Sequence, residues 1–569
     1  MKKKYLSQFW EIFKSYWVSE EKKRAIGLLG VVIALNFATV YLLVLINSWY
    51  NEFYNMLQEY DYASFWPLVG KFTGLALLHI VIAVYAIYLR QLLQLRWRTW
   101  LTRKYVRSWL DGTAYYRLQV MGSDMDNPDQ RIQEDIDQFV TLTLGLLIGF
   151  LKQLTTLAAF AVVLWNLSGI LTVPIGSMEF NIHGYMLWFS VIYSFMGTYF
   201  AHRVGRKLIG LDFVQQKYEA DFRFSMTRVR ENSESIAFYG GEQAEEIGFR
   251  DKFKWVISNY RELMKQTKIL NFYSNFYGQF GIIAPLILAA PRYFGGAMAL
   301  GGLMQTVSAF GRVQDALSYF VEAYQNIAQL IAVLHRLAGF TEHLGEVKGL
   351  EPAISRKNGI RSQMIFERVF VQLPNGNMLM SPTSFALPAG KRLLVTGASG
   401  CGKSTLLRTL AGIWPFGGGE MEAGRDAKIL FLPQRPYLPL GTLRRALCYP
   451  VADTSSIDQG VIEKVLKDVD LEQLIDRLDT VDDWSRILSL GEQQRVAFAR
   501  VLIVKPDWVF LDEATSALDE AREQRMYFKL KEELPGAGVI SVGHRASLFA
   551  QHDKELHIEN CRATLREIA

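Results

Sequence analysis

The chain contains a glycine-rich loop at residues 397–405, which ends in a lysine followed by two hydroxyl residues. An apolar run at 392–396 precedes the loop and a helix-forming run at 405–411 follows it, which is the order of a phosphate-binding loop. Glycines let successive backbone N–H groups wrap a polyphosphate, Lys403 can contact the terminal phosphates, and Ser404 can bind Mg²⁺. The predicted ligand is therefore ATP or GTP with Mg²⁺. The candidate binding residues in this loop are Gly397, Ala398, Ser399, Gly400, Cys401, Gly402, Lys403, Ser404 and Thr405.

Two adjacent acids could supply the hydrolytic chemistry. The apolar segment 508–511 predicts a buried strand, and Asp512 and Glu513 follow directly at its end. Asp512 can hold Mg²⁺ directly or through water, and Glu513 can accept a proton from the water that attacks the terminal phosphate. Glu513 and His544 favour turnover over nucleotide sensing alone, because a sensor needs no hydrolytic base.

The N-terminal half of the chain, which precedes this site, is predicted to span a membrane. With 569 residues, 50 % hydrophobic content and positive mean hydropathy, the chain is too long for one ordinary domain and too apolar to be wholly soluble. Six apolar runs have about the length that crosses a bilayer. They lie near Ala25–Ile46, Phe72–Leu89, Leu142–Leu167, Tyr185–Ala201, Phe272–Ala290 and Phe294–Phe320.

Loop charge predicts the orientation of these spans. The connecting segments 47–66 and 168–184 contain no lysine or arginine, whereas the start of the chain, 90–131 and 202–268 are rich in both. The termini and the two long loops are therefore expected to be cytoplasmic. Those loops are also long and helical in pattern, so the membrane helices should extend well beyond the bilayer.

The last predicted span carries a polar stripe. Its members recur at steps that place most of them along one helix face: Gln305, Ser308, Arg312, Asp315 and Glu322. Two interpretations remain open, an internal ion pair between Arg312 and Asp315 or the wall of a water-filled pathway. Lys152, inside the third run, lies either at the inner boundary or in a wet interior, and no role is assigned to it.

Other functions are not indicated by the composition. The formal charge of +6 is modest, and the basic residues gather in a few loops, so nucleic acid is not an implied partner. The three cysteines Cys401, Cys448 and Cys561 show no metal-binding spacing and are expected to be reduced cytosolic thiols. The basic start of the chain lacks the pattern of a cleaved signal peptide, so the first span is expected to act as the insertion signal.

Further motifs resemble the ATPase domain of ABC transporters. They are Phe431-Leu-Pro-Gln434, Leu488-Ser-Leu-Gly-Glu492-Gln-Gln-Arg495, Ser516-Ala-Leu-Asp519 and Ser541-Val-Gly-His544. The resemblance implies that Gln434 senses metal and γ-phosphate and that His544 contacts the γ-phosphate. It also implies that Ser489, Gly491 and Glu492 belong to a signature segment that binds the nucleotide held by a partner subunit.

The membrane half resembles the SbmA/BacA-type bacterial transporters and the peroxisomal subfamily D of ABC transporters, and within that group the YddA-type proteins. The residues that carry this resemblance are Asp126-Asn-Pro-Asp-Gln-Arg-Ile-Gln-Glu-Asp135 and Asn232-Ser-Glu-Ser-Ile-Ala-Phe-Tyr239, together with the segments 96–102 and 219–223. In that family the turns of these loops act as coupling helices that dock on the ATPase domain.

The sequence departs from the family pattern at two places. The signature has Leu490 where a glycine is usual and Glu492 where a glutamine is usual, while Ser489 and Gly491 are kept, so activity is still expected. Leu373 stands where many such domains stack an aromatic ring on adenine, which predicts weak selectivity for ATP over GTP.

The expected architecture is a six-helix transmembrane domain of the ABC exporter type, residues 1–344, fused to an α/β ABC ATPase domain, residues 345–569. One such chain is half a transporter, so the resemblance implies a homodimer in a bilayer. The expected function is ATP-driven uptake of a hydrophilic solute, such as a peptide or a cobalamin-like compound, across a bacterial inner membrane. Export, lipid or acyl-CoA transport, and an ATP-gated channel or regulatory receptor are the alternatives.

Overall fold

The computed structural model of the chain describes residues 2–121, 127–175, 178–359, 362–451 and 453–568. The side chains of 2–6, 172–175, 178–180, 202, 209, 320–322, 324 and 325 lie outside this description. Contacts divide the chain into two compact units. The helical unit comprises Met1–Val106 and Asn127–Phe340, and the mixed unit comprises Arg107–Asp126 and Thr341–Ala569. The predicted domain boundary between residues 344 and 345 stays a prediction.

Ten helices cover most of the first 348 residues. They are α1 (Lys2–Trp17), α2 (Lys22–Gln58), α3 (Phe65–Leu110), α4 (Ala114–Val120), α5 (Pro128–Gln130), α6 (Ile136–Ser168), α7 (Tyr185–Glu231), α8 (Ser233–Tyr239), α9 (Glu242–Phe294) and α10 (Leu300–Lys348). Six of them have between 33 and 53 residues. A bilayer core needs only about 20 residues, so these helices are long enough to continue beyond it.

The predicted spans correspond to the six long helices. Three helical segments of the described residues are long and apolar enough to cross a membrane by length and composition alone, namely Lys22–Gln58, Tyr62–Val120 and Pro128–Ser168. The helices α7, α9 and α10 are equally long, but polar side chains interrupt their apolar runs. Hydropathy is therefore the weaker signal in the second half of the helical unit.

The predicted start of the sixth span at Phe294 is wrong. Helix α9 ends at Phe294, and α10 begins only at Leu300. Gly295 caps the end of α9 and Gly296 adopts φ 75°, a left-handed conformation that glycine tolerates and that a helix cannot continue through. The apolar run thus contains a turn that hydropathy does not show.

A β-hairpin follows α6. Strand β1 (Ile170–Ile175) pairs in antiparallel fashion with β2 (Met178–His183). The guanidinium of Arg292 on α9 donates a hydrogen bond of 2.7 Å to the Leu167 carbonyl and a second bond to the Ser168 carbonyl. Because the last carbonyls of a helix lack partners within that helix, this arginine caps α6 where the hairpin begins.

A buried ion cluster joins the start of α6 to α10. Asp135 ends a π-helical turn (Arg131–Asp135) and is 2 % exposed. Its carboxylate accepts a hydrogen bond of 2.9 Å from Arg336 Nε and one of 3.0 Å from Arg131. Arg131 and Asp135 belong to the segment 126–135 singled out in the sequence, so this segment has a structural role in the fold.

Replacing Asp135 by alanine should destabilise the helical unit by about 2 kcal/mol, below the roughly 3–5 kcal/mol of a fully buried pair because Arg336 reaches solvent. The measurement is thermal unfolding of the detergent-solubilised protein followed by near-UV circular dichroism. Asp137→Ala is the matched control, since Asp137 pairs with Arg98 at the surface and its loss should cost less than about 1 kcal/mol. Equal losses in the two variants would contradict a special role for Asp135.

Two sheets form the mixed unit. A six-stranded sheet has the order β14-β13-β6-β12-β11-β8 and is parallel except for β14, and a four-stranded sheet has the order β3-β7-β4-β5. The strands are β3 (Ser355–Gly359), β4 (Gln363–Gln372), β5 (Met378–Pro388), β6 (Arg392–Gly397), β7 (Gly417–Gly424), β8 (Ile429–Leu432), β11 (Trp508–Asp512), β12 (Gly538–Val542), β13 (Lys554–Glu559) and β14 (Arg562–Glu567), with β9 (Gly441–Thr442) and β10 (Val481–Asp482) forming a separate short pair.

Helices α11 (Lys403–Leu410), α12 (Leu443–Cys448), α13 (Gln459–Asp468), α14 (Trp484–Ile487), α15 (Leu490–Val504) and α16 (Glu520–Glu533) complete the unit. The strands β6, β11 and β12 are buried apolar runs, as expected for a parallel sheet covered on both faces. Because the carboxyl ends of parallel strands meet at one edge, the residues after Gly397, Asp512 and Val542 come together there.

Candidate functional site

The loop between β6 and α11 is built on positive backbone φ angles. Gly397, Gly400 and Gly402 have φ of 142°, 80° and 101°, respectively. A side chain at Gly397 would also collide with the carbonyl oxygen of Ile558 on β13, so this position excludes other residues on two grounds. The remaining loop residues, Ala398, Ser399 and Cys401, complete the turn before α11.

Lys403 begins α11 and its side chain bends back over the loop. Its ammonium group donates hydrogen bonds of 2.9 Å to the Gly397 carbonyl and 2.8 Å to the Ala398 carbonyl. The side chain is 6 % exposed, so the charge is held against the loop and at the N-terminus of a helix. A cation and free helix N–H groups at one place favour a bound phosphate.

The next residue of α11 contacts the first of the two acids. Ser404 Oγ donates a hydrogen bond of 2.7 Å to Asp512 Oδ1. Burial raises the pKa of the Asp512 carboxyl above its ordinary value, and the Ser404 hydrogen bond opposes that shift. A hydroxyl and a carboxylate side by side offer the oxygen ligands that Mg²⁺ prefers.

Glu513 adopts a left-handed backbone conformation, with φ 48°. This conformation is strained for any residue with a side chain and is held by a hydrogen bond of 3.2 Å from its N–H to the Val542 carbonyl. Its carboxylate accepts a hydrogen bond of 2.8 Å from Gln434 Nε2 and lies 3.3 Å from His544 Nε2. Gln434 and His544, two predicted site residues from separate segments, therefore both contact the Glu513 carboxylate.

Sequence reasoning missed Gln494, a residue that hydrogen-bonds to the segments carrying Gln434 and Glu513. Gln494 on α15 is fully buried and donates hydrogen bonds of 3.1 Å to the Gln434 carbonyl and to Ser516 Oγ. Its side-chain oxygen accepts a bond of 3.0 Å from the Ala517 N–H. A glutamine just after the signature was the only signal in the sequence, and nothing there indicated that it is buried.

The signature residues lie at the start of α15. Ser489 caps the helix, and Glu492 completes a capping box by accepting bonds of 2.9 Å from the Ser489 N–H and 2.8 Å from its hydroxyl. The unusual glutamate thus stabilises the helix end. Gly491 packs so closely that a Cβ atom there would lie 3.2 Å from the Ala517 carbonyl oxygen. Across the described residues no hydrogen bond or ion pair joins Ser489 to the phosphate-binding loop of the same chain.

A cavity of about 520 Å³ lies beside the site within the mixed unit. Its wall includes Ser404, Gln434 and Asp512, together with Tyr116 from α4. The neighbouring Arg117 donates hydrogen bonds of 2.8 Å to the Leu350 carbonyl and 3.3 Å to the Gly412 carbonyl. Helix α4, from the first long loop, therefore packs with the nucleotide-binding elements of the mixed unit, and its role as a coupling helix stays a prediction.

The candidate pathway residues of α10 lie in the helical unit and differ in their surroundings. Gln305 is 8 % exposed and accepts a hydrogen bond of 2.7 Å from Asn51 on α2, so it connects two helices. Ser308 is half-buried, and Arg312 and Asp315 are exposed on the single chain. Among the described residues, Arg312 and Asp315 form no ion pair within 4.0 Å. The side chain of Glu322 lies outside the described residues.

Comparison with protein families agrees with both units. Residues 12–294 match the family described as ABC transporter transmembrane region 2, and residues 380–516 match the family described as ABC transporter. The fold is similar to a solved structure titled a bacterial Atm1-family ABC exporter with ATP bound, with a TM-score of 0.70 and 18 % identity, over 96 % of this chain and 95 % of that one.

Curated relatives match over nearly the whole length. An uncharacterized ABC transporter ATP-binding protein of Haemophilus influenzae is 36 % identical over 96 % of this chain and 93 % of its own. The inner membrane ABC transporter ATP-binding protein YddA of Escherichia coli is 34 % identical over 95 % of both chains. The human lysosomal cobalamin transporter ABCD4 is 29 % identical over 97 % of this chain and 95 % of its own.

These matches confirm the resemblance to YddA-type and subfamily D proteins, while that to SbmA/BacA-type transporters stays a prediction. The nucleotide site in the mixed unit and the six long helices are the two parts that such proteins combine. The chain belongs to the ABC transporter family, as a membrane protein whose ATP-binding domain is fused to its helical domain and hydrolyses ATP to drive transport.

Proposed function

We propose that two copies of the chain form a homodimer with two composite ATP sites, which drives uptake of a hydrophilic solute across a bacterial inner membrane with both termini in the cytoplasm. The observation that carries the dimer is the separation of Ser489 from the phosphate-binding loop of its own chain. An exposed, capped helix start is suited to an anion that a second copy brings to it. A two-fold axis then makes both sites equivalent.

In each site, Mg²⁺ would be held by Ser404, Asp512 and Gln434. Among the described residues, no group of three or more histidine, cysteine or acidic side chains is placed to hold a metal ion. The fit is supported by the 2.7 Å contact between Ser404 and Asp512. When bound, Mg²⁺ would neutralise negative charge on the phosphates.

Hydrolysis is assigned to the group around Glu513. We assign Glu513 as the base that takes a proton from water, because its carboxylate is fixed between Gln434 and His544. In this proposal Gln434 and His544 orient that carboxylate and also contact the γ-phosphate. Lys403 and the loop N–H groups bind the phosphates.

The hydrophilic substrate is supported by α10. Arg312 and Asp315 are exposed and unpaired with each other among the described residues, so the internal ion pair is the weaker of the two interpretations. Ionised side chains at membrane depth must face protein or water. The name of the human relative, a cobalamin transporter, and the inner membrane location in the name of the Escherichia coli relative support the same proposal.

Cysteine accessibility tests the pathway. A cysteine at Ser308 should react with a membrane-impermeant thiol reagent in the protein without nucleotide, and its rate should change at least about 3-fold when ATP and vanadate close the ATPase domains. Mass spectrometry of the peptide that carries residue 308 separates this label from the native cysteines. Cysteine at Ala309, which is fully buried, is the control that should not react. An unreactive residue 308 in both states would contradict a water-filled pathway.

A further inference from the structure

A group of basic side chains lies on three helices of the helical unit, α3, α6 and α10. Lys152 of α6 and Arg90 of α3 line a cavity of about 140 Å³, together with Asn36 and Thr39 of α2. The charges of Arg90 and Arg312 both act on Lys152. The charges of Lys152 and Arg312 also act on His79, which lies three turns before Arg90 on α3.

None of these four side chains has a partner in the described residues. The side chains of His79, Arg90, Lys152 and Arg312 form no hydrogen bond and no ion pair there. Two other arginines of the helical unit are paired, Arg336 with Asp135 and Arg292 with backbone carbonyls. We term the four unpaired side chains His79, Arg90, Lys152 and Arg312 the basic cluster.

The described side chains do not balance the charges of the basic cluster. Asp315 is the carboxylate on which the charge of Arg312 acts, and one carboxylate cannot balance the three cationic side chains Arg90, Lys152 and Arg312. Like charges at close range repel strongly where water is scarce. From His79 to Arg90 the cluster also extends about 16 Å along α3, at 1.5 Å per residue, so the ends of the side chains cannot all reach one headgroup layer.

We propose that the basic cluster binds an anionic group, a carboxylate or phosphate, of the transported solute. This inference rests on the proposed pathway along α10, since Ser308 lies one helical turn before Arg312. It narrows the substrate from any hydrophilic solute to an acidic one. A strongly cationic peptide would be repelled from the same place.

Charged thiol reagents test the local potential at a cysteine placed at Ser308. The anionic sulfonatoethyl and the cationic trimethylammonioethyl methanethiosulfonates are compared, with each rate divided by its rate on free cysteine. In phosphatidylcholine nanodiscs the anionic reagent should be favoured about 10-fold, the lower end of electrostatic focusing in a charged cleft. In the background Lys152→Gln/Arg312→Gln the preference should fall to within about 2-fold.

The control variant Lys254→Gln/Lys265→Gln removes two charges from exposed ion pairs on α9 and should keep the full preference. Elution volume and ATP binding show that each variant is folded, and Lys152→Met alone replaces the double variant if that one does not fold. Reaction with both reagents but no charge preference would overturn the basic cluster as an anion site and leave the pathway standing. No reaction with either reagent would overturn the pathway itself.

Two further measurements distinguish an acidic solute from a lipid headgroup as the source of the anion. Soluble trimesate, a benzene tricarboxylate, should slow labelling by the anionic reagent, whereas its neutral triamide should not. Nanodiscs of phosphatidylglycerol should leave the preference unchanged. If phosphatidylglycerol removes the preference and trimesate does not protect, the cluster binds a lipid headgroup and the proposal of an acidic solute is wrong.

Discussion

Replacing Glu513 by glutamine should lower steady-state ATP hydrolysis at least about 100-fold, the range assigned to a general base. Glutamine keeps the size of the side chain and can still hydrogen-bond to Gln434 and His544, but it cannot accept a proton from water. The phosphate contacts of Lys403 and the Ser404–Asp512 pair are untouched. ATP affinity should therefore stay within about 3-fold of the parent, which separates loss of chemistry from loss of binding.

The measurement is phosphate release by the purified dimer alongside equilibrium binding of ATP. Glu520→Gln is the matched control, because Glu520 is an exposed acid in the first turn of α16, outside the site. That variant should turn over as the parent does. Turnover by Glu513→Gln within about 3-fold of the parent would show that another group accepts the proton.

The composite sites make a second strong prediction in forced heterodimers. When Lys403→Ala is on one chain and Ser489→Arg is on the other, both defects fall in the same site and the second site is intact. When both changes are on one chain and its partner is unchanged, each site has one defect. The first pairing should trap one nucleotide per dimer with vanadate, and the second pairing should trap almost none.

Trapping is the appropriate measurement because steady-state turnover of coupled sites does not report on one site. The two pairings contain the same substitutions, so general destabilisation cannot produce a difference between them. Equal trapping in the two pairings would refute the shared-site arrangement. It would also mean that Ser489 serves the nucleotide of its own chain.

Sequence reasoning could predict a nucleotide site because the parts of that site are local. The loop at 397–405 needs glycines at fixed positions, and Asp512 and Glu513 simply end a buried strand, so each signal lies within a few residues. The contacts that hold these parts together are distant in sequence. Arg117 binds carbonyls that lie 233 and 295 residues further along, and a single sequence contains no signal for such a pairing.

The membrane half was harder to predict, for a different reason. Hydropathy shows that residues are apolar but not where a helix turns, so the predicted break between α9 and α10 lay a few residues too early. Periodicity placed Gln305 on the stripe, yet only the structure shows that its side chain is buried against Asn51. The charge of Lys152 was visible in the sequence, whereas its neighbours on α3 and α10 were not.

The left-handed backbone of Glu513 lowers the stability of the fold at a residue that the proposed catalysis requires. An L-residue in this conformation costs about 1–2 kcal/mol relative to a relaxed one, and a glycine there would avoid the cost. Selection of variants for thermal stability alone would therefore favour the loss of the proposed base. A stable but inactive ATPase is the expected product of such a selection, and preserving activity requires that this strained residue be kept fixed while stability is gained elsewhere.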